Sequence, residues 1–108
     1  MPVIPEISPE ALRDELASGA PLRILDVRED EEITISRLDN IVHVPMDDVP
    51  DRLEGLDPDA DWVVVCRSGK RSAAVAQFLM AQGYRNVRNL QGGMNGWAER
   101  VDPTMVVY

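Results

Sequence analysis

The sequence predicts an α/β domain with a mostly parallel central sheet that is flanked by helices on both faces. Short apolar runs of strand length alternate with segments of helical pattern, which is the order that a parallel sheet requires. Three consecutive valines, Val63, Val64 and Val65, indicate a strand that is buried on both faces. A chain of 108 residues has the size of one domain, and we assign residues 1–108 to a single domain.

Local signals set the order of the predicted elements. The first helix follows Ser8, which can cap it, begins at Pro9 and ends at Gly19. The later elements are apolar runs that close at Pro, Gly or Asp. They predict strands at 22–27, 41–44, 61–66 and 87–90 and helices at 47–53, 72–82 and 94–100, followed by an extended tail at 104–108.

The composition argues against several kinds of partner. The net charge is −8, and an acidic domain is a poor ligand for nucleic acid because phosphates attract clustered Lys and Arg. The longest apolar runs are only a few residues, too short to span a membrane. Residues 1–10 lack the basic and apolar regions of a signal peptide, and a single cysteine allows no intramolecular disulfide. We therefore expect a soluble, cytoplasmic protein without a nucleic-acid or membrane partner.

The loop 66–72, with the sequence Cys-Arg-Ser-Gly-Lys-Arg-Ser, carries the strongest chemical signal. Cys66 lies at the carboxyl end of a strand, where open α/β sheets bind ligands. The following helix directs its free N–H groups at the loop, and Gly69 lets successive amides face a central anion. The loop also carries three cations, Arg67, Lys70 and Arg71. Together these features predict that the pKa of the Cys66 thiol is lowered.

A buried structural cysteine is the simpler alternative, because free cysteine is among the most buried residue types. A structural cysteine, however, needs neither three neighbouring cations nor a glycine turn. We therefore favour a reactive Cys66. The other loop residues are candidates for binding the anion that the sulfur becomes or receives: Arg67, Ser68, Gly69, Lys70, Arg71 and Ser72.

Other polar residues have structural explanations beside functional ones. Asp26 and Arg28 lie at a strand end, where they can form a pair that organises loops, and Arg28 is also a candidate for contacting substrate beside Cys66. His43 lies between two valines of a strand, which favours a hydrogen-bonded, partly buried histidine over a general base. The acidic run 29–32 is expected to be a solvated face, with a docking patch for a basic partner as the alternative. Without a Cys/His cluster, we expect neither a metal site nor a cofactor.

Three segments together resemble the motifs of rhodanese-like domains. The loop 66–72 is similar to that family's active-site loop, Cys-Arg-Ser-Gly-x-Arg. Residues 25–29 resemble its Asp-Val-Arg segment and residues 91–97 its Gly-Gly-x-x-x-Trp segment, in the family order. The resemblance implies a sulfurtransferase in which Cys66 takes sulfur from a donor such as thiosulfate and holds it as a persulfide among the loop amides. By the same analogy, Arg71 has closure of the loop as an alternative, structural role.

One departure from the family pattern indicates a subgroup. Residues 35–41 lack the Gly-His-Ile-Pro-Gly-Ala stretch that is common in the family, so the shape of that loop stays open. Together with the ending 101–108, this variant resembles rhodanese domains fused to adenylyltransferases that activate ubiquitin-like sulfur carrier proteins. The implied partners are a small anionic sulfur donor and a ubiquitin-like sulfur carrier protein, its adenylyltransferase or a cysteine desulfurase. The chain either stands alone or is an excerpt of a longer protein.

Two competing functions stay open. A phosphatase of the dual-specificity cell-cycle type shares the fold by resemblance, but it holds five residues between its cysteine and arginine, whereas four separate Cys66 from Arg71. The smaller ring suits a sulfur atom better than a phosphate group. The second competitor is a non-catalytic binding module, although inactive rhodanese-like domains commonly lack the cysteine that is present here.

Overall fold

A computed structural model describes residues 3–108; Met1 and Pro2, which belong to the predicted domain and to the N-terminal segment considered above, lie outside the described residues. Five strands form one sheet in which all neighbouring pairs are parallel. They are β1 (Glu6–Ile7), β2 (Leu22–Asp26), β3 (Ile41–His43), β4 (Asp61–Val65) and β5 (Asn86–Leu90), in the order β1-β5-β4-β2-β3. The predicted α/β class with a parallel sheet is confirmed.

Helices cover both faces of this sheet. They are α1 (Pro9–Ala17), α2 (Asp30–Ile35), α3 (Lys70–Ala81), α4 (Gly93–Arg100) and a 3-10 helical segment, Met46–Gly55. In the central strand β4, Trp62 and Val64 belong to one buried cluster, whereas Val63 and Val65 belong to the other. The first cluster includes apolar residues of α3 and the 3-10 segment, and the second includes those of α1 and α4. Burial of the valine run on both faces is therefore confirmed.

The signals for the first helix act as predicted. The Ser8 hydroxyl accepts a hydrogen bond from the amide of Ala11 at 3.1 Å, and Pro9 occupies the first turn, where its missing N–H costs nothing. The helix ends at Ala17, and Gly19 then adopts a φ of 76°, which reverses the chain toward β2.

Two elements were not predicted, and α3 begins two residues earlier than predicted. Strand β1 has only two residues, too few for any alternation of apolar and polar positions. Helix α2 lies in the acidic run, where Glu29 and Glu32 form a capping box. Helix α3 begins at Lys70 rather than Ser72, because Gly69 at its N-cap takes the left-handed conformation with a φ of 102°.

The parallel topology brings the three sequence motifs to one edge of the sheet. Because all strands run the same way, the segments that follow β2, β4 and β5 lie at their common carboxyl end. These segments carry Arg28, the 66–72 loop and Gly92–Gly93. In the described part of the chain, no helix is long and apolar enough to cross a membrane.

Candidate active site

Cys66 directly follows β4 and shares a buried cluster with Trp62 and Val64 of that strand. The residue is 1% exposed. Gly69 then turns the backbone so that α3 can begin at the next residue. The chain therefore curls tightly around the cysteine sulfur before it enters the helix.

Hydrogen-bond donors of this curl point at the sulfur. The Gly69 amide nitrogen lies 3.1 Å from Sγ of Cys66, and Oγ of Ser72 lies 3.2 Å from it. Burial raises the pKa of the Cys66 thiol, but hydrogen bonds from Ser72, Gly69 and Ser68 outweigh it, so the pKa lies below its usual range. The predicted direction is confirmed, and the largest contributions to the lowering are hydrogen bonds from neutral donors.

Helix α4 holds the outer side of the loop. The amide of Met94 donates to the Cys66 carbonyl at 2.8 Å, and the amide of Asn95 donates to the Arg67 carbonyl at 3.0 Å. Gly93 has a φ of 61°, and a Cβ atom there would overlap both carbonyl groups. The Gly-Gly motif is thus explained by close approach: it lets α4 satisfy the outward carbonyls while the amides of the loop face inward.

Arg71 is anchored to α2 rather than to the sulfur. Its Nη1 and Nη2 atoms both donate to the Glu32 carboxylate, with 2.8 Å between Nη2 and Oε2. The side chains of Arg71 and Glu32 are 31% and 16% exposed, so the pair is only partly solvated. The Arg71 bonds lower the pKa of Glu32 to about 2, and Glu32 in turn raises the pKa of Arg71. Arg71 therefore ties the first turn of α3 to α2.

Tyr108 engages a second loop cation, Arg67. The guanidinium carbon of Arg67 lies 5.0 Å from the centre of the Tyr108 ring, and its Nη2 donates to the Tyr108 carbonyl. The Tyr108 hydroxyl accepts from Arg28 at 3.0 Å and donates to Glu32 at 2.7 Å. Lys70 is exposed, and its side chain has no ion pair or hydrogen bond within residues 3–108. Among the three loop cations, Lys70 is the one whose charged group has no hydrogen bond or ion pair within residues 3–108.

The sequence offered Arg28 both as a candidate for contacting substrate and as half of a structural pair, and the structure places it inside the protein. The Arg28 side chain is fully buried, and its Nη2 lies 2.8 Å from Oδ2 of Asp26. Its Nε also donates to Asp26, and its two Nη atoms donate further to the carbonyls of Glu32 and Ser36 and to the Tyr108 hydroxyl. The guanidinium N–H groups are thereby used within the protein, and none is left for a substrate. The Asp26–Arg28 pair that organises loops is confirmed.

The two remaining polar predictions have different outcomes. His43 is partly buried, and its Nε2 lies 2.7 Å from the Arg28 carbonyl oxygen, so the hydrogen-bonded histidine is confirmed. The prediction that the acidic run is a solvated face is wrong for Glu32, because α2 turns this residue toward Arg71. The other three residues, Glu29, Asp30 and Glu31, are exposed as expected.

The sequence analysis did not place three residues at the cysteine site: Glu32, Asn89 and Tyr108. Asn89 lies in β5 and is 3% exposed; its Oδ1 accepts from the Ser72 hydroxyl, and its Nδ2 donates to the Gly69 carbonyl at 3.1 Å. The available signal was an asparagine between the apolar positions Val87 and Leu90 of a predicted strand, since buried amides need partners. No local pattern indicates that Glu32 or Tyr108 would reach the loop.

The arrangement is a shielded cysteine sulfur surrounded by N–H and O–H donors. Such a site can stabilise negative charge on Cys66 or on an atom bonded to it. Within residues 3–108, no three or more His, Cys, Asp and Glu side chains are grouped so as to hold a metal ion.

Comparisons with known proteins identify the family of this chain. The sequence pattern of the Rhodanese-like domain family matches residues 8–100. YtwF of Bacillus subtilis, whose name assigns it as a sulfurtransferase, is 41% identical over 100 residues, which are 93% of this chain and 96% of YtwF. The thiosulfate sulfurtransferase GlpE of Pseudomonas aeruginosa is 31% identical over 91 residues, 84% of this chain and 81% of GlpE.

A longer relative and a solved structure extend the comparison. MoeZ of Mycobacterium tuberculosis, named as an adenylyltransferase/sulfurtransferase, is 35% identical over 104 residues, 94% of this chain but only 26% of MoeZ. The crystal structure of a rhodanese-like domain protein from Staphylococcus aureus has a TM-score of 0.84 and 32% identity, covering 97% of this chain and 99% of that one. From its sequence pattern, its relatives and its fold, this chain belongs to the rhodanese-like domain family.

Proposed function

We propose that the chain is a sulfurtransferase that carries sulfur as a persulfide on Cys66. The observation that carries this proposal is the pair of donors at the sulfur, the Gly69 amide at 3.1 Å and the Ser72 hydroxyl at 3.2 Å. Both favour the thiolate, which is the nucleophilic form of cysteine. YtwF and GlpE, which align over most of their lengths, are named as sulfurtransferases and support the same chemistry.

With thiosulfate as donor, the reaction is a displacement at sulfur. The Cys66 thiolate attacks the outer sulfur of thiosulfate, so a bond forms between Sγ and that sulfur. The S–S bond of thiosulfate breaks, and sulfite leaves with the electron pair of that bond. The persulfide keeps one negative charge on its outer sulfur, which the amides of residues 67–72 can hold. An acceptor nucleophile then takes the outer sulfur and regenerates the thiolate.

The exposed loop residues support a route by which the donor reaches Cys66. Cys66 is 1% exposed, so a donor has to settle against its exposed neighbours Arg67, Ser68 and Lys70 before it meets the sulfur. Lys70 has the unengaged charge and is the candidate for attracting an anion, while Arg67 is held by Tyr108. This geometry favours a small anionic donor such as thiosulfate over a bulky one.

The acceptor or upstream partner is proposed to belong to a sulfur-carrier pathway. The candidates are a ubiquitin-like sulfur carrier protein, its adenylyltransferase and a cysteine desulfurase. The name of MoeZ joins an adenylyltransferase to a sulfurtransferase in one protein, and this chain aligns with about a quarter of it. Pull-down with persulfidated wild-type chain, compared with the Cys66→Ser variant, tests for a partner that depends on the carried sulfur.

Intact-mass measurement tests the persulfide directly. After incubation with thiosulfate and removal of the free donor, we expect the chain to gain the mass of one sulfur atom. Cyanide should remove that mass and form thiocyanate in equal amount. The Cys66→Ser variant, which replaces the only cysteine, should show neither event. A wild-type chain that stays unmodified with several donors, thiosulfate and a desulfurase among them, would instead favour a non-catalytic binding module.

An aryl phosphate separates the sulfurtransferase from the phosphatase. A phosphatase needs its arginine to hold phosphate, whereas both Nη atoms of Arg71 are bonded to Glu32. We expect no turnover of the aryl phosphate above that of the Cys66→Ser variant. Phosphate release that depends on Cys66 would overturn the proposal.

A further inference from the structure

The Ser72 hydroxyl lies between two acceptors. Its Oγ is 3.2 Å from Sγ of Cys66 and also bonds to Oδ1 of Asn89. Ser72 is fully buried and Asn89 is 3% exposed, so water has little access to either. The orientation of the Asn89 amide is set independently, because its Nδ2 donates to the Gly69 carbonyl at 3.1 Å. Oδ1 therefore faces Ser72 as an acceptor only.

One hydroxyl proton cannot serve both acceptors at once. When Cys66 is a thiol, its S–H can donate to Ser72 while the Ser72 hydroxyl donates to Asn89, and every group is paired. When Cys66 is a thiolate, the sulfur needs the Ser72 proton, and donating it there leaves Oδ1 of Asn89 buried without a donor. An unpaired buried acceptor is costly, so Asn89 works against the empty thiolate.

We propose that Asn89 is a positioning residue that competes with the empty Cys66 thiolate for the Ser72 proton and so favours the sulfur-loaded enzyme. The part of this inference that concerns the sulfur-loaded enzyme, its loaded half, rests on the proposed persulfide. In a persulfide the charge lies on the outer sulfur, and Sγ, now bonded to two atoms, is a weak acceptor. The Ser72 proton can then return to Asn89, which restores a fully paired network.

The other groups around the sulfur do not supply this competition. The Gly69 amide donates to the sulfur and carries no second acceptor, and α4 contacts the loop through backbone amides on its outer side. Among charged groups, Arg71 couples electrostatically to Cys66, but its Nη atoms are bonded to Glu32. Asn89 is thus the residue through which the Ser72 proton can be withheld.

Titration of the thiolate by ultraviolet absorbance tests the competition. In Asn89→Leu, which removes the competing acceptor, Ser72 donates to sulfur alone, so we expect the acid ionisation constant of Cys66 to rise about 3- to 10-fold. In Ser72→Ala the thiolate loses a donor, and the constant should fall. Adding Asn89→Leu to Ser72→Ala should leave the ionisation constant of Cys66 unchanged, because the variant has no hydroxyl proton for Asn89 and the sulfur to share.

Titrations of the same two single variants and their double variant also give the outcomes that overturn the inference. An unchanged or reduced ionisation constant in Asn89→Leu contradicts it, as does an equal effect of Asn89→Leu with and without Ser72. If Asn89→Leu does not fold, as judged by circular dichroism, Asn89→Asp gives the opposite test. That variant keeps an acceptor and adds negative charge, so the ionisation constant should fall, and a rise would contradict the inference.

Sulfur exchange tests the loaded half. Persulfide and sulfite exchange with thiolate and thiosulfate, with one sulfur atom moving and no change in total charge. At a pH above the pKa of Cys66, where the empty enzyme is a thiolate, and at a fixed ratio of thiosulfate to sulfite, the loaded fraction of Asn89→Leu should fall. Its ratio of loaded to empty enzyme should then decrease by the same factor by which its ionisation constant rises. An unchanged loaded fraction refutes this half. Absence of any adduct in wild type refutes the proposed function instead, and the titration result remains a separate measurement.

Discussion

Replacing Glu32 by Gln should remove a pH-dependent part of the stability. The pKa of Glu32 falls from 4.5 to about 2 on folding, mainly because Arg71 bonds to its carboxylate. By linkage that difference corresponds to about 3 kcal/mol. Arg71 is 31% exposed, and solvent screens part of this energy, so we expect about 1 to 2 kcal/mol at pH 7.

The sign follows from the lowered pKa. The contribution of Glu32 is complete above pH 4.5 and is lost as the pH falls toward 2, because the unfolded chain takes up the proton first. Urea unfolding of wild type and Glu32→Gln at a series of pH values isolates this effect, since other groups cancel in the difference. The difference should shrink to less than half of its neutral value by about pH 3.

Glu31→Gln is the matched control, because Glu31 is exposed in the same helix. It should change the stability by less than about 0.5 kcal/mol at every pH. A constant difference between wild type and Glu32→Gln from pH 7 to pH 3 would refute the reasoning, because it would assign the loss to packing rather than to the ion pair with Arg71.

Three further perturbations probe other parts of the site. Gly93→Ala should lower the free energy of unfolding by about 2 kcal/mol or more and slow sulfur transfer, because its Cβ would overlap the loop carbonyls. Gly55→Ala is the control, because Gly55 has open space around it, and this variant should show neither effect. Lys70→Gln should raise KM for thiosulfate about 3- to 10-fold with little change in kcat, an effect that added salt should weaken and that Lys70→Arg should not show. Tyr108→Phe loses the hydroxyl contacts to Arg28 and Glu32, so urea unfolding should show a loss of about 1 kcal/mol. In that variant, the stabilising contribution of Glu32 should be lost at a higher pH than in wild type, because the hydroxyl helps to lower the pKa of Glu32. An unchanged pH dependence would exclude this effect of the Tyr108 hydroxyl on Glu32.

The sheet and the position of Cys66 could be predicted because their signals are local. The Val63–Val65 run shows that β4 is central, and the change to a helical pattern after Cys66 places the sulfur at a strand end. Gly69 signals the tight turn that directs amides at the sulfur, because a positive φ suits glycine.

The partners of the loop cations could not be predicted, because they depend on contacts between distant segments. Glu32 reaches Arg71 only through the docking of a short helix that has no buried residue of its own. Tyr108 reaches Arg67 across 41 positions of sequence. The environment of Arg28 could not be predicted for the same reason. Its position near a strand end suits a substrate contact as well as a buried pair, and the acceptors that surround it in the structure come from other segments of the chain.

The contact of α4 with the cysteine loop has a consequence for the newly made chain. The carbonyls of Cys66 and Arg67 have their partners only once residues 93–100 have been synthesised and packed. Before that moment no hydrogen bond from α4 holds these carbonyls outward, so the amide donors are not yet fixed toward the sulfur. We therefore expect the lowered pKa of the Cys66 thiol to arise only once α4 has packed against the loop.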